Sequence, residues 1–322
     1  MQAARVHEGA ALVYETVADP VAAPGEVVVE LRASAVNRRD LLVRQAVYPF
    51  PLPITPGSDG AGIRRDTGEE VVILPSLFWG SAEDAPGPEF QILGGPRDGT
   101  YAELVAVPAE NVLPKPTRLS WEEAAAFPLA ALTAWRALFS RGHVRPGETV
   151  LVLGAGSGVS TFAVQLAAQA GVRVLVTSSS QAKIDRAVEL GAEAGVVYTD
   201  AEWPAAAKTL AGGRGVDLVL DSVGSTWDQS LQTLRPGGRL VVFGGTGGTE
   251  VTLQVRSAYL QQLSILGTTM GSPRDFAALL HAVDEGAWSP TIDSVFPLAD
   301  AEAAHARIQS KDHFGKIDLN LA

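Results

Sequence analysis

The sequence predicts a doubly wound, parallel α/β domain joined to a β-rich domain, and three observations carry that expectation. First, beyond residue 118 short apolar runs alternate with helical segments: ETVLVLG, TFAVQLAAQAG, VRVLVTS, AKIDRAVELGA, AGVVYT, DLVLDSVG, WDQSLQTL, GRLVVFGG and LSILGTT. The strand-like runs are rich in β-branched residues, as strands buried on both faces of a parallel sheet are. Second, the first third carries alternating runs, Glu26 to Val36 and Glu69 to Leu74, punctuated by Pro and Gly, which reads as short strands and turns. Third, 322 residues exceed one ordinary hydrophobic core, so two domains are expected.

The border between them is placed near residue 118, where Ser120 and Glu123 form the capping signature of a helix start before an alanine-rich segment. Residues 75–99 mix Pro, Gly, acids and aromatics and read as a long ordered loop. After Gly271 a helix over Arg274 to Glu285 and the segment VFPLADAEAAHARI break the alternation; too short for a third domain, they are expected to rejoin the first.

Composition narrows the function. The chain has no cysteine, which excludes disulfides, thiolate catalysis and cysteine-ligated metal. A formal charge of −11 without a basic cluster disfavours nucleic acid and anionic lipid as partners. No apolar run reaches the roughly 18 residues of a membrane span, and the N-terminus lacks a signal-peptide layout, so a cytoplasmic protein acting on small molecules is expected.

The strand ETVLVL runs into Gly154-Ala155-Gly156-Ser157-Gly158-Val159-Ser160 and then an apolar helix, an order that turns amide N–H groups toward a pyrophosphate. A strict G-x-G-x-x-G is not met, because its third glycine would fall on Val159. The next strand ends in Thr177, Ser178, Ser179 and Ser180 with no acid before Asp185. A carboxylate there would accept from an adenosine ribose and repel a 2′-phosphate; hydroxyls and the nearby Lys183 suit the phosphate instead. The alternative is that the serines only cap the following helix and Lys183 is solvated.

The stretch LGAGSGVSTFAVQLAAQAGVRVLVTSSSQAKIDRAVELGA resembles the coenzyme domain of the medium-chain dehydrogenase/reductases. So do ASAVNRRDLLVRQAVYPFPLPITPGSDGAG, DGTYAELVAVPAENVLPKP, AAAFPLAALTAWRALF, DLVLDSVG, GGRLVVFGG, LGTTMGS and HFGKIDL, so that the likeness extends over nearly the whole chain. In this register Ser160 replaces the family's last loop glycine. The resemblance implies a Rossmann NADPH-binding domain over 118–266 and a GroES-like substrate domain over 1–117 and 267–322, with the nicotinamide between them. It implies that Asn37, Thr133, Phe243, Gly244 and Gly245 border the nicotinamide ribose and ring, that Ser157, Gly158 and Val159 hold the pyrophosphate, and that Thr269 also binds the cofactor. Tyr198 joins Ser178, Ser179 and Lys183 near the 2′-phosphate, Ser222 and Val223 border a ribose, and Lys316 contacts the cofactor; a strand-end hydrogen bond for Ser222 and a solvated charge for Lys316 remain the alternatives.

Relatives that reduce simple carbonyls bind zinc through Cys-His, Gly-His-Glu and a later cysteine or acid. Here those positions read Asn37-Arg38, Gly57-Ser58-Asp59 and Leu129, and the five histidines lie elsewhere and read as surface residues, so no metal is expected. Without a Lewis acid, a localised alkoxide is hard to form, whereas hydride addition to an enone or quinone gives a delocalised anion that hydrogen bonds can stabilise. The resemblance is to the zinc-free quinone oxidoreductase branch, and the expected donors are Asn37, Tyr48, which matches an active-site tyrosine of that branch, and Arg39. Packing of Tyr48 and pairing of Arg39 with Asp40 or Asp59 are the alternatives, and Phe50, Leu77, Phe78 and Trp79 are read as an apolar wall or as core. A ketone reductase and a non-enzymatic NADPH-binding protein are the competing functions. A homodimer is implied through the edge strand Leu263 to Thr269.

Overall fold

The computed structural model describes residues 1–286 and 288–321. They form two compact units, Met1–Leu132 with Gly271–Ala322 and Thr133–Met270. The border therefore falls beyond the sequence-predicted residue 118. The reason is the helix Trp121–Ala126: its N-terminus is closed as predicted, with Glu123 N–H donating to Ser120 Oγ (3.2 Å) and Ser120 N–H to Glu123 Oε2 (2.9 Å). Its small face, Ala124 to Ala126, is buried against strands Glu26–Val36, Asp59–Arg64 and Lys316–Asn320 of the first unit. Alanine lets a helix backbone approach a sheet closely, and that contact keeps the segment with the β-rich unit.

In the second unit six parallel strands lie in the spatial order Ala194–Val197, Arg173–Ser178, Thr149–Val152, Val216–Asp221, Leu234–Val242 and Ser264–Gly267. The chain starts in the middle, winds to one edge, then returns and winds to the other. That reversal produces a switch point at the carboxyl ends of the two central strands, where such sheets bind ligands. Val150, Leu151, Val152, Leu218, Val219 and Leu220 are fully buried, so the unpunctuated apolar runs are those of strands covered on both faces.

The first unit is built on the long strand Glu26–Val36, which pairs antiparallel with Asp59–Arg64, Leu104–Pro108 and Lys316–Asn320. The C-terminal segment thus returns to the β-rich unit. Residues 75–99 hold two short paired strands, Ser76–Leu77 and Gln91–Ile92. Leu77 and Trp79 are buried, Leu77 within an apolar cluster with Val29, Leu31, Ile73 and Leu93, which agrees with the reading of these two as core. The loop returns beneath Gly57, whose φ is +99°; a Cβ at Gly94 would sit 2.8 Å from Gly57 N, and one at Gly99 2.7 Å from Gly94 Cα. Three chain segments cross there at backbone contact, which only glycine permits. No helix among the described residues is long and apolar enough to cross a membrane.

Candidate active site

Within the first unit, the strand register sets Asp59, Ala35 and Asp318 in one row across three strands. Strand Glu26–Val36 then gives way at Asn37 to the helix Arg38–Arg44. Asn37 N–H donates to Asp40 Oδ2 (2.7 Å), and its amide Nδ2 donates to Asp59 Oδ2 (2.8 Å) and Ala35 O (3.3 Å). Lys316, only 3% exposed, donates from Nζ to Asn37 Oδ1 (2.7 Å), Asp59 Oδ2 (2.9 Å) and Val36 O (3.1 Å). Leu129 N–H donates to Asp59 Oδ1 (2.7 Å). Lys316 thus spends all three of its N–H donors, and Asn37 both of its amide protons, on protein acceptors.

A second buried chain leads away from Asp40. Tyr101 OH donates to Asp40 Oδ2 (3.2 Å), and His305 Nε2 lies 3.2 Å from the same hydroxyl. His305 is fully buried, not the surface residue expected from sequence. Burial pushes the Asp40 carboxyl up to about 6 against the opposing pull of Arg39, and burial with the Arg44 charge holds His305 down to about 3. Burial likewise raises the Tyr101 phenol and the Asp318 carboxyl well above their usual ranges. Both Asp318 oxygens lack a hydrogen-bond partner among the described residues, the condition in which a buried acid stays neutral.

Structural and catalytic zinc sites need three or four nitrogen, sulfur or oxygen ligands. The described residues contain no group of three or more side chains able to hold a metal, and at the family's ligand positions only Asp59 carries a suitable atom. Its carboxylate is engaged by an ammonium, an amide and a backbone N–H. This donor set does not fit zinc.

Arg39 and Tyr48 lie together on the same unit. The Arg39 guanidinium stands 6.0 Å from the Tyr48 ring centroid. It donates from Nη1 to Ser58 Oγ (3.1 Å) and Leu93 O (3.0 Å), and from Nη2 to Gly95 O (3.4 Å), in place of a pair with Asp40 or Asp59. Tyr48 is 41% exposed, tilts against Phe50 at 6.4 Å, and spends no hydroxyl bond on the described residues. Phe50 in turn occupies the space in which a side chain at Gly95 would lie.

In the second unit, the residues expected at the cofactor, Thr133 apart, follow the carboxyl ends of the parallel strands in sequence. Gly154 and Gly156 take φ of +72° and +107°, giving the tight turn after strand Thr149–Val152. Ser157 caps the helix Gly158–Gln169 through Ser160 N–H (3.2 Å), leaving Gly158 and Val159 at its open N-terminus. Ser160 is fully buried and donates to Leu153 O (3.1 Å), so a hydroxyl bonded back to the strand fills the place of the missing glycine. These glycines, the helix N-terminus and the reversal of strand order fit a dinucleotide pyrophosphate.

Ser178 ends its strand with its hydroxyl on Ala155 O (3.3 Å), sealed from solvent, whereas Ser179 is exposed. Tyr198 N–H donates to Ser178 O (2.9 Å), which brings Tyr198, 46% exposed, to the same sheet edge as Lys183 in the first turn of helix Gln181–Glu189. Beyond the switch point, Thr246 N–H donates to Ser222 O (3.1 Å) and Gly247 N–H to Val223 O (2.8 Å), locking two loops together beside Phe243, Gly244 and Gly245. Asp221 anchors the first of them by accepting from Val223 N–H (2.6 Å) and Gly224 N–H (3.1 Å). Thr269 follows the edge strand Ser264–Gly267, and Thr133 is buried at the start of the unit. Asp221, Asp40, Tyr101 and His305 carry no recognisable spacing in the sequence; Asp221 could have been suspected from its place before the Ser-Val-Gly turn.

The family model for zinc-binding dehydrogenases matches residues 158–285, and that for the alcohol dehydrogenase GroES-like domain matches residues 23–117. A zinc-type alcohol dehydrogenase-like protein of Schizosaccharomyces pombe is 37% identical, covering 92% of this chain and 91% of its own. The quinone oxidoreductase of Rattus norvegicus is 32% identical over 92% of this chain and 89% of its own. The crystal structure of an NAD-dependent alcohol dehydrogenase superposes with a TM-score of 0.95 at 39% identity, covering 100% of both chains. With a dinucleotide turn in one unit, a GroES-like sheet in the other and relatives matched end to end, the chain belongs to the medium-chain dehydrogenase/reductase superfamily of nicotinamide-dependent oxidoreductases.

Proposed function

We propose that the protein is an NADPH-dependent reductase of quinones or α,β-unsaturated carbonyls that works without zinc, as a homodimer. The observation that carries this reading is the state of Asp59: at the one family ligand position that retains a metal-binding atom, the carboxylate is neutralised by Lys316 and bonded to Asn37 and Leu129. With no Lewis acid at the carbonyl oxygen, the favoured acceptors are those whose negative charge spreads through a conjugated system. NADPH supplies the hydride when bound. The chain's part is to place the acceptor and to stabilise the anion. Asn37 is held rigidly by Lys316, Asp59 and the capping box with Asp40, while Tyr48 holds the uncommitted O–H able to donate to a developing enolate or phenolate.

Preference for NADPH is supported by Ser179 and Tyr198 after strands Arg173–Ser178 and Ala194–Val197, by Lys183 in the first turn of helix Gln181–Glu189, and by the absence of a carboxylate at the end of strand Arg173–Ser178. Pairing of two copies is supported by the unpaired edge of Ser264–Gly267, with Tyr259 and Leu260 exposed on the helix just before it. The zinc-type relative favours a second reading, a metal-dependent alcohol dehydrogenase, which requires Asp59 to exchange Lys316 for metal. The deciding experiment measures NADPH oxidation with a naphthoquinone, a short enone and its saturated ketone, before and after strong chelation. Conjugated acceptors are expected to react faster, with activity indifferent to chelation; stoichiometric zinc lost together with activity, or equal rates on the saturated ketone, overturns the proposal.

A further inference from the structure

Arg39 is a half-buried cation without an ion-pair partner among the described residues. Asp40, whose charge acts on Arg39, turns its bonded oxygen to Asn37 N–H and Tyr101 OH instead. The three hydrogen bonds that fix the guanidinium go to neutral oxygens of Ser58, Leu93 and Gly95 and use three of its five N–H donors. Nε–H and one N–H of Nη2 remain. Arg39 Nε is not wholly sealed from solvent, and the residue as a whole is only partly buried.

The chemistry of the Nε–Nη2 edge is visible elsewhere in the chain. Arg64 grips Asp66 through Nε (2.7 Å) and Nη2 (2.9 Å), Arg173 grips Glu193 through the same two nitrogens (2.7 and 2.5 Å), and Arg307 grips Asp293 likewise (2.8 and 2.9 Å). In Arg39 the guanidinium is bolted to the 93–95 turn through Nη1 and Nη2, Nε is left without a partner among the described residues, and Tyr48 and Phe50 stand beside it. A desolvated guanidinium held this way loses little freedom on meeting a planar anion, which favours bidentate binding.

We propose that Arg39 is a specificity-determining residue that grips a carboxylate carried by the conjugated acceptor. The preferred substrates are then enones or quinones bearing a carboxylate within reach of the reacting system. The inference rests on the reductase reading above and deepens it.

The test compares β-acetylacrylate with its methyl ester as acceptors for the wild type, Arg39→Gln and Arg39→Lys. The readout is the ratio of kcat/KM values, so a general loss from displaced neighbours cancels. The wild-type ratio of carboxylate to ester is expected to exceed that of Arg39→Gln by about tenfold or more, the size of one charge-assisted contact, so that the ester's greater intrinsic reactivity cancels. Arg39→Lys, which keeps the charge without the fork, falls between the two. A ratio unchanged in Arg39→Gln overturns the proposal. Calorimetric binding of the saturated analogue levulinate needs no turnover: heat with the wild type that Arg39→Gln abolishes supports the proposal even if neither acceptor is reduced, in which case the reductase reading alone fails. Absent binding, or equal binding to both proteins, removes Arg39 as a carboxylate site.

Discussion

Lys316 Nζ and Asp59 Oδ2, separated by 257 residues of sequence, meet at 2.9 Å where both side chains are almost sealed from solvent. Removing one member of such a pair leaves an uncompensated buried charge. Lys316→Met is therefore expected to cost about 3–5 kcal/mol of stability, and adding Asp59→Asn to recover most of it. Urea unfolding of the two variants measures both effects; a single-variant loss below about 1 kcal/mol would place the pair with ordinary surface ion pairs.

Tyr48→Phe removes the uncommitted hydroxyl and keeps the ring against Phe50 and Arg39. A donor to a developing oxyanion is worth about tenfold to a thousandfold in rate, so kcat on a short enone is expected to drop within that range with little change in Tm. An unchanged kcat assigns Tyr48 to packing alone.

Lys183→Ala is expected to weaken NADPH by about 1.5–3 kcal/mol, the range for a hydrogen bond to a charged group, and to leave NADH nearly untouched. Steady-state KM values for the two cofactors make the comparison. Equal losses would mean that Lys183 supports its helix and not a phosphate.

Asp40 and His305, joined through Tyr101, load stability with opposite signs. The Asp40 carboxyl, raised by burial from 3.8 to about 6, keeps a proton that the unfolded chain releases, so its contribution to stability falls as pH rises from about 4 to about 6. His305, lowered from 6.5 to about 3, refuses a proton that the unfolded chain binds, so its contribution falls as pH drops below about 6.5. The two slopes oppose each other between about pH 4 and 6, and single variants separate them. The stability of Asp40→Asn relative to the wild type is expected to rise by about 3 kcal/mol across that interval, read from urea midpoints at stepped pH. A pH-independent difference would show that Asp40 is ionised throughout.

Much of the second unit was legible in the sequence because its signals are local. β-branched runs and the capped glycine turn before Gly158 each act within a few residues, and the parallel sheet then brings the carboxyl ends of its strands to one edge; the Ser178 hydroxyl, read as a phosphate donor, is instead sealed on Ala155 O. The missing cysteines and zinc histidines were equally plain. Tertiary structure alone decided the charge relations of the first unit. Pairing of Lys316–Asn320 with Glu26–Val36 carries Lys316 to Asp59 and buries Asp318 in the same row, while the glycine crossing at Gly57, Gly94 and Gly99 delivers the carbonyls that hold Arg39. Those contacts join residues tens to hundreds of positions apart, where neither spacing nor propensity leaves a mark; the register of a few strand pairs determines which donor meets which acceptor, and burial then sets their charge.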